Sequence, residues 1–188
     1  MKQLSAIGGI ESIQLSGEWF ELPQEPNPFS DGWQRLFILK GDSDAQIAFS
    51  YRGEAVDSES ATAFRDIISI GSTATDGREL TSFEIVKLQD VMGRNTAGDN
   101  QFSNESAAGA PLFELTEATV RTVASRAVLF IRGSFRSGRH YAGIFYATDA
   151  AGQEIEEIMF HSGSKKQLRE HLAKFDSALN TIVWKKLL

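Results

Sequence analysis

Beyond residue 111 the chain is organised by short apolar runs. The segments 112–124 (LFELTEATVRTVA), 127–135 (AVLFIRGSF), 141–149 (YAGIFYATD) and 154–162 (EIEEIMFHS) each read as a β-strand. Apolar, β-branched and aromatic residues concentrate there, bounded by turn residues. The connections Ser125-Arg126, 136–140 (RSGRH) and 150–153 (AAGQ) are short enough for antiparallel hairpins, so the strands form a meander. A helix follows. Ser164 and Gln167 make a Ser-x-x-Gln capping pattern, and Leu168, Leu172, Phe175, Leu179 and Ile182 recur at steps of 4, 3, 4 and 3, on one stripe. Lys165, Lys166, Arg169, Glu170 and Lys174 take the wet side. The stripe predicts a helix lying across one face of the sheet.

The first half is patterned less sharply. Residues 10–23 alternate around a Ser-Gly turn and read as one or two short strands; 24–32 is a Pro-rich loop. Segments 33–41 and 45–53 read as a hairpin around a turn at Asp42-Ser43-Asp44. Residues 57–71 predict a helix capped by Ser58 or Ser60, with Ala63, Phe64, Ile67 and Ile68 at helical spacing and Gly71 as the stop. Residues 80–93 place Leu80, Phe83, Val86 or Lys87, and Val91 near one helical face, although the stretch FEIVKL also alternates as a strand does. Residues 94–111 are polar and aperiodic, a long loop of the kind that is functional or disordered.

At 188 residues the chain is expected to form a single domain, 1–188, with a long loop or insertion at about 72–111. A chain of this size removes roughly 70% of its unfolded surface from water without staples. Phe is frequent, at 13 residues against 3 Tyr and 3 Trp, so the core is expected to be built on rings that need no hydrogen-bond partner. Trp19, Phe20, Trp33 and Trp184 sit at element ends and are expected in that core, the alternative being an exposed interface cluster. With 19 basic and 25 acidic residues the net charge is −6, which disfavours nucleic acid, whose affinity comes from cations displacing counterions. There is no cysteine, which removes disulfides, thiolate nucleophiles and Cys-ligated zinc. No run is apolar enough for a membrane span, and the start shows no signal peptide. The expected location is cytoplasmic, or periplasmic after removal of a leader.

The best chemical lead is 132–140 (RGSFRSGRH), which gathers Arg132, Arg136, Arg139 and His140 around two glycines. It echoes a phosphate loop, but Arg-His stands where Lys-Ser/Thr is needed, and a strand follows where a helix N-terminus must point at the anion. What remains is a hairpin with a charged tip, or a basic tip that meets an acidic partner. His161 and Ser162 adjoin, yet neighbours on a strand point to opposite faces, and no Gly-x-Ser-x-Gly elbow occurs. His140, His161 and His171 include no i, i+4 pair on a helix, so zinc or iron is not expected, and with no cofactor-binding loop in the sequence no other cofactor is expected either. Glu154 and Glu156 share a strand face and read as a solvated pair rather than an acid/base couple. The Asp-rich turns at 42–44 and 98–100 do not match a calcium loop.

The order of AVLFIRGSF, YAGIFYATD, EIEEIMFHS and KKQLREHLAKFDSALNTIVW, ending in Ile182-Val183-Trp184, and the early FELPQEPNPFSDGW segment resemble the PsbP-like fold family, named after an extrinsic subunit of photosystem II. The resemblance implies an α+β fold, an antiparallel β-sheet flanked by helices as an α/β/α sandwich, with the C-terminal amphipathic helix packed on the sheet. It also implies a mostly non-enzymatic role, as a bacterial adaptor or chaperone that binds another protein, including around secreted effectors. An immunity-type inhibitor of such an effector is expected instead from the acidic composition, since acidic surfaces meet basic partners. No site residue transfers from that family. The expected contact surface is the 94–111 loop with Arg132, Arg136, Arg139, His140 and His161. The alternative is a small-ligand-binding protein or enzyme that uses an Arg/His pocket between sheet and helix. It requires Arg132, His140 and His161 to converge in one pocket.

Overall fold

The computed structural model describes residues 1–23, 33–54, 62–68, 77–85, 113–135 and 137–187. The expected caps Ser58 and Ser60, the stop at Gly71, the loops 24–32 and 94–111, residues 86–93 and Arg136 lie outside them. In chain order the strands are β1 (Lys2–Ile7), β2 (Ile10–Leu15), β3 (Trp19–Leu22), β4 (Gln34–Leu39), β5 (Asp42–Glu54), β6 (Arg78–Glu79), β7 (Phe113–Val123), β8 (Arg126–Phe135), β9 (His140–Ala147), β10 (Glu154–Ser162) and β11 (Val183–Trp184). Helical residues are 62–68 (α1) and 82–85 (α2), and α3 spans Lys165–Leu179.

The meander β7 to β10 forms as its alternation predicts, and β5 adds beside β10. The result is an eight-stranded sheet in the order β3-β4-β5-β10-β9-β8-β7-β6, antiparallel at every pair. Period two then sorts the side chains into two faces. Phe130, Ile144, Tyr146, Ile158 and Phe160 meet Leu168, Phe175 and Leu179 of α3. Leu129, Ile131, Phe145 and Met159 face the other way, against Phe64 and Ile67 of α1 and Leu80. The central strands therefore have almost no polar face. Phe37, Phe49, Phe130, Phe145, Phe160 and Phe175 are all fully buried, each stabilising the fold by about 2–3 kcal/mol through loss of apolar surface. Three edge-to-face or stacked ring contacts join the Phe-rich interior: Phe37–Phe49 at 5.8 Å, Phe160–Phe175 at 5.7 Å and Phe113–Phe135 at 5.0 Å.

Several expectations are corrected. The α3 face of the large sheet is roofed by a helix together with a second, three-stranded sheet in the order β1-β2-β11, so the simple sandwich is too coarse a description. The first hairpin turns at Lys40-Gly41, with Gly41 at φ 81°, and Asp42-Ser43-Asp44 begin β5 rather than forming the turn. Phe83 is 68% exposed and so does not join Leu80 on a buried face. Of the four aromatic residues expected in the core, Trp19 is buried, Trp33 and Trp184 are partly buried against it, and Phe20 is exposed. Glu156 is only 5% exposed and Glu157 fully buried, because β10 lies inside the sheet with β5 and β9 on either side. Only Glu154 of that run meets solvent.

Candidate functional site

The start of α3 is fixed before any site can form on it. Ser164 stands in extended backbone, φ −151° and ψ 155°, and its hydroxyl accepts the Gln167 N–H at 3.2 Å, as an N-cap does. The reciprocal half of the capping box is absent. Gln167 Nε2 instead donates to Asp42 Oδ1 at 3.2 Å, and His171 Nε2, one turn on, lies 3.3 Å from Asp42 Oδ2. Ser162 Oγ takes the vacant role by accepting the Ser164 N–H at 3.3 Å. The first two turns of α3 are thus clamped to the beginning of β5.

So placed, α3 leaves an open groove of about 330 Å³ between its first turns and the ends of β7, β8 and β9. Arg132 and His140 enter from the sheet, Lys165 and Arg169 from the helix, with Leu168 between them and Glu114 and Thr116 on the far side. Alternation sends Arg132 to this face, since Ile131 on one side of it belongs to the opposite cluster. Lys165 and Arg169 are one helical turn apart and both exposed. A β-bulge shapes the sheet wall: pairing passes from Leu115↔Gly133 to Glu117↔Arg132, which leaves Thr116 unpaired. The Thr116 hydroxyl donates to the Arg132 carbonyl at 3.0 Å. Gly133 is required here, because a Cβ would overlap the Glu114 carbonyl and the Phe113 ring.

Glu117 does not line the groove but is ion-paired to Arg132, which does. Its Oε2 holds Arg132 Nη2 at 2.8 Å and its Oε1 holds Arg121 Nη2 at 2.7 Å. The Arg121 guanidinium lies 3.5 Å over the Phe130 ring, a cation–π placement, with Nη1 3.7 Å from Asp176 of α3. Burial pushes the Asp176 carboxyl up, and Arg121 partly offsets it. Lys165 and Arg169 have no ion-pair partner among the described residues. One arginine of the groove is therefore already engaged by an internal carboxylate, while the helix cations face solvent.

Of the residues singled out from sequence, Arg136 lies outside the described residues; Arg132 and His140 come together, and Arg139 and His161 do not join them. Arg139 is exposed at the hairpin tip, with Nη1 3.5 Å from Gln46 Oε1. His161 points to the opposite face, its ring stacked on Phe135 at 5.9 Å and edge-on to Tyr141 at 5.5 Å. Burial first, and Arg139 second, push its pKa down to about 4. Beside it, Tyr141 donates a hydrogen bond to Glu157. The convergence of Arg132, His140 and His161 that the alternative reading requires does not occur. Lys165 and Arg169 were legible only as the wet side of a helix, and Glu117 and the Thr116 bulge carried no signal in the sequence pattern.

No known sequence family matches the chain, and no curated protein does. In three dimensions it is similar to the solution structure of cyanobacterial PsbP (CyanoP) from Synechocystis sp. PCC 6803, with a TM-score of 0.51 at 9% identity, over 97% of this chain and 91% of that one. At that identity the likeness is one of fold. The chain has a PsbP-like fold, mostly antiparallel strands with a few helices, as its last strands and terminal helix led one to expect.

Proposed function

We propose that this PsbP-like chain is a non-catalytic protein-binding module and that the groove beside α3 is where a partner protein docks. The observation that carries this reading is the make-up of the groove wall. Glu114, Thr116, Lys165 and Arg169 are all exposed, while Gly133 and Leu168 are buried at its base. A small-molecule site encloses most of its ligand behind apolar walls with a few fixed polar groups. This groove has long charged side chains at its rim, the anatomy of a protein interface edge. The rival reading, a ligand or enzyme pocket, loses its acid–base partner, because His161 lies across the sheet from Arg132 and His140. Adaptor and chaperone are the forms of binding module that the PsbP-like fold suggests, and immunity-type inhibitor is the form that the acidic composition suggests.

The test is capture by the full chain from native extract, followed by titration of the purified captured protein against wild type and Lys165→Glu/Arg169→Glu. A single stoichiometric partner whose binding collapses in the double variant supports the reading. Capture of no protein, with a co-purifying small molecule retained by wild type alone, would overturn it.

A further inference from the structure

We infer that the groove takes an acidic segment of the partner, whose carboxylate displaces Glu117 from Arg132. This rests on the protein-binding reading above and gives it a chemistry.

The cations are clustered against the trend of the whole molecule. A chain of net charge −6 places Arg132, Lys165 and Arg169 around one concavity, with a single carboxylate, Glu114, among its lining residues. Charge of that sign in a recess attracts anions and speeds their encounter. Two features choose carboxylates over a nucleic-acid backbone. A space of about 330 Å³ holds a few side chains, not a strand or duplex. The acidic remainder of the surface repels the long run of phosphates needed for counterion release. A short acidic peptide meets neither obstacle.

Glu117 supplies the second half of the argument. Arg132 is the one groove cation already holding a carboxylate, at 2.8 Å, and that carboxylate also grips Arg121 at 2.7 Å. Glu117 is an internal stand-in for the ligand. An incoming carboxylate at Arg132 leaves Glu117 its bond to Arg121, which in turn is anchored on Phe130 and near Asp176. The exchange therefore strands no charge: Arg132 trades one carboxylate partner for another, and Arg guanidinium groups suit that geometry. Lys165 and Arg169, whose charge the described residues leave unpaired, neutralise the remainder of the acidic segment.

The experiment titrates the full chain with a fluorescent Glu-rich peptide, its Gln-for-Glu counterpart, an oligonucleotide of similar length and inorganic phosphate, by anisotropy or competition. The proteins are wild type, Lys165→Glu/Arg169→Glu and Glu117→Gln. Circular dichroism melts confirm folding, which the exposed α3 changes leave intact. The inference expects the Glu peptide alone to bind, with affinity falling as salt rises. It expects a loss of about tenfold or more in the α3 double variant and a gain of about three- to tenfold in Glu117→Gln, the scale of one or two charge-assisted contacts. Weaker binding by Glu117→Gln would make Glu117 a positioning residue and overturn the displacement. Equal binding of the Gln peptide, or preference for oligonucleotide or phosphate, would overturn the choice of ligand. A captured protein partner that binds wild type and the double variant alike, without salt dependence, defeats this inference and the groove as the docking site, yet leaves the chain a protein-binding module.

Discussion

Glu156 Oε2, near the start of β10, accepts both the Gly9 N–H at 2.8 Å and the Tyr146 hydroxyl at 2.8 Å. One buried oxygen thereby fastens the β1–β2 turn of the small sheet to the large one, 147 residues away in sequence. Glycine at position 8 leaves room for it, since a Cβ there would overlap the carboxylate and the Trp33 ring.

Both donors use the same oxygen, so an amide can replace the carboxylate. Glu156→Gln is expected to change stability by less than about 1 kcal/mol, whereas Glu156→Leu strands the buried Tyr146 hydroxyl and the half-buried Gly9 N–H and costs about 2–4 kcal/mol. Burial raises the Glu156 pKa above its ordinary value, with the Gly9 and Tyr146 bonds opposing. The folded state thus holds this proton longer than the unfolded chain, and the contribution of Glu156 falls as pH rises through the folded pKa. Urea titrations from pH 4.5 upward should show Glu156→Gln gaining on wild type with pH. A constant difference would refute the assignment.

Tyr141 lies along β9 over Gly143 to reach Glu157, and a Cβ at Gly143 would overlap its hydroxyl and sit 3.1 Å from the Ile158 carbonyl. Gly143→Ala is expected to destabilise by about 2–3 kcal/mol, the cost of overpacking a filled core. In a Tyr141→Ala background most of that cost should vanish, so a double-mutant cycle in denaturant should be strongly non-additive. Additive losses would show that the backbone, not the ring, is the obstacle.

The strands of the meander were legible because period-two alternation with short turns is a local signal. β1 was not, because Ala6 at φ 55° breaks its alternation, and β11 is only Val183–Trp184. The Glu-Ile-Glu-Glu run that opens β10 reads as solvated at Glu154 and Glu156, since nothing nearby in sequence announces the Tyr146 hydroxyl that meets Glu156. The short helix α2 carried a signal that went unread: Thr81-x-x-Glu84 is a full capping box, with Glu84 N donating to Thr81 Oγ1 at 3.2 Å and Thr81 N donating to Glu84 Oε2 at 2.8 Å. The groove was half legible. Arg132 and His140 could be named, but their meeting with Lys165 and Arg169 depends on where α3 crosses β8, which is a property of the assembled sheet.

The β7–β8 hairpin turns through Ala124 at φ 46° and Ser125 at φ 71°. Left-handed backbone at both central positions suits the twist of a two-residue hairpin, but it favours Asn and Gly there. Ser125 is exposed, so Ser125→Gly should relieve strain without touching the core. The expected gain is about 1 kcal/mol, or a melting temperature higher by roughly 2–4 °C for a chain of this size. Ser125→Val should lower it. A glycine variant that melts at or below wild type would mean the hairpin holds no strain at this residue.

His161 gives the fold an acid limit. Its pKa of about 4, against an ordinary 6.5, follows from burial, and its Nδ1 has no hydrogen-bond partner among the described residues. Below pH 6.5 the unfolded chain binds this proton and the folded one does not, so stability is lost as pH falls from about 6.5 to about 4. A shift of that size corresponds to roughly 3 kcal/mol across the window. Phe in its place keeps the ring between Phe135 and Tyr141 and carries no proton. His161→Phe should therefore match wild type near neutral pH and exceed it progressively toward pH 4, in urea melts at matched ionic strength. Parallel pH profiles for the two proteins would place the acid sensitivity in the carboxylates instead and show that the imidazole titrates freely in the fold.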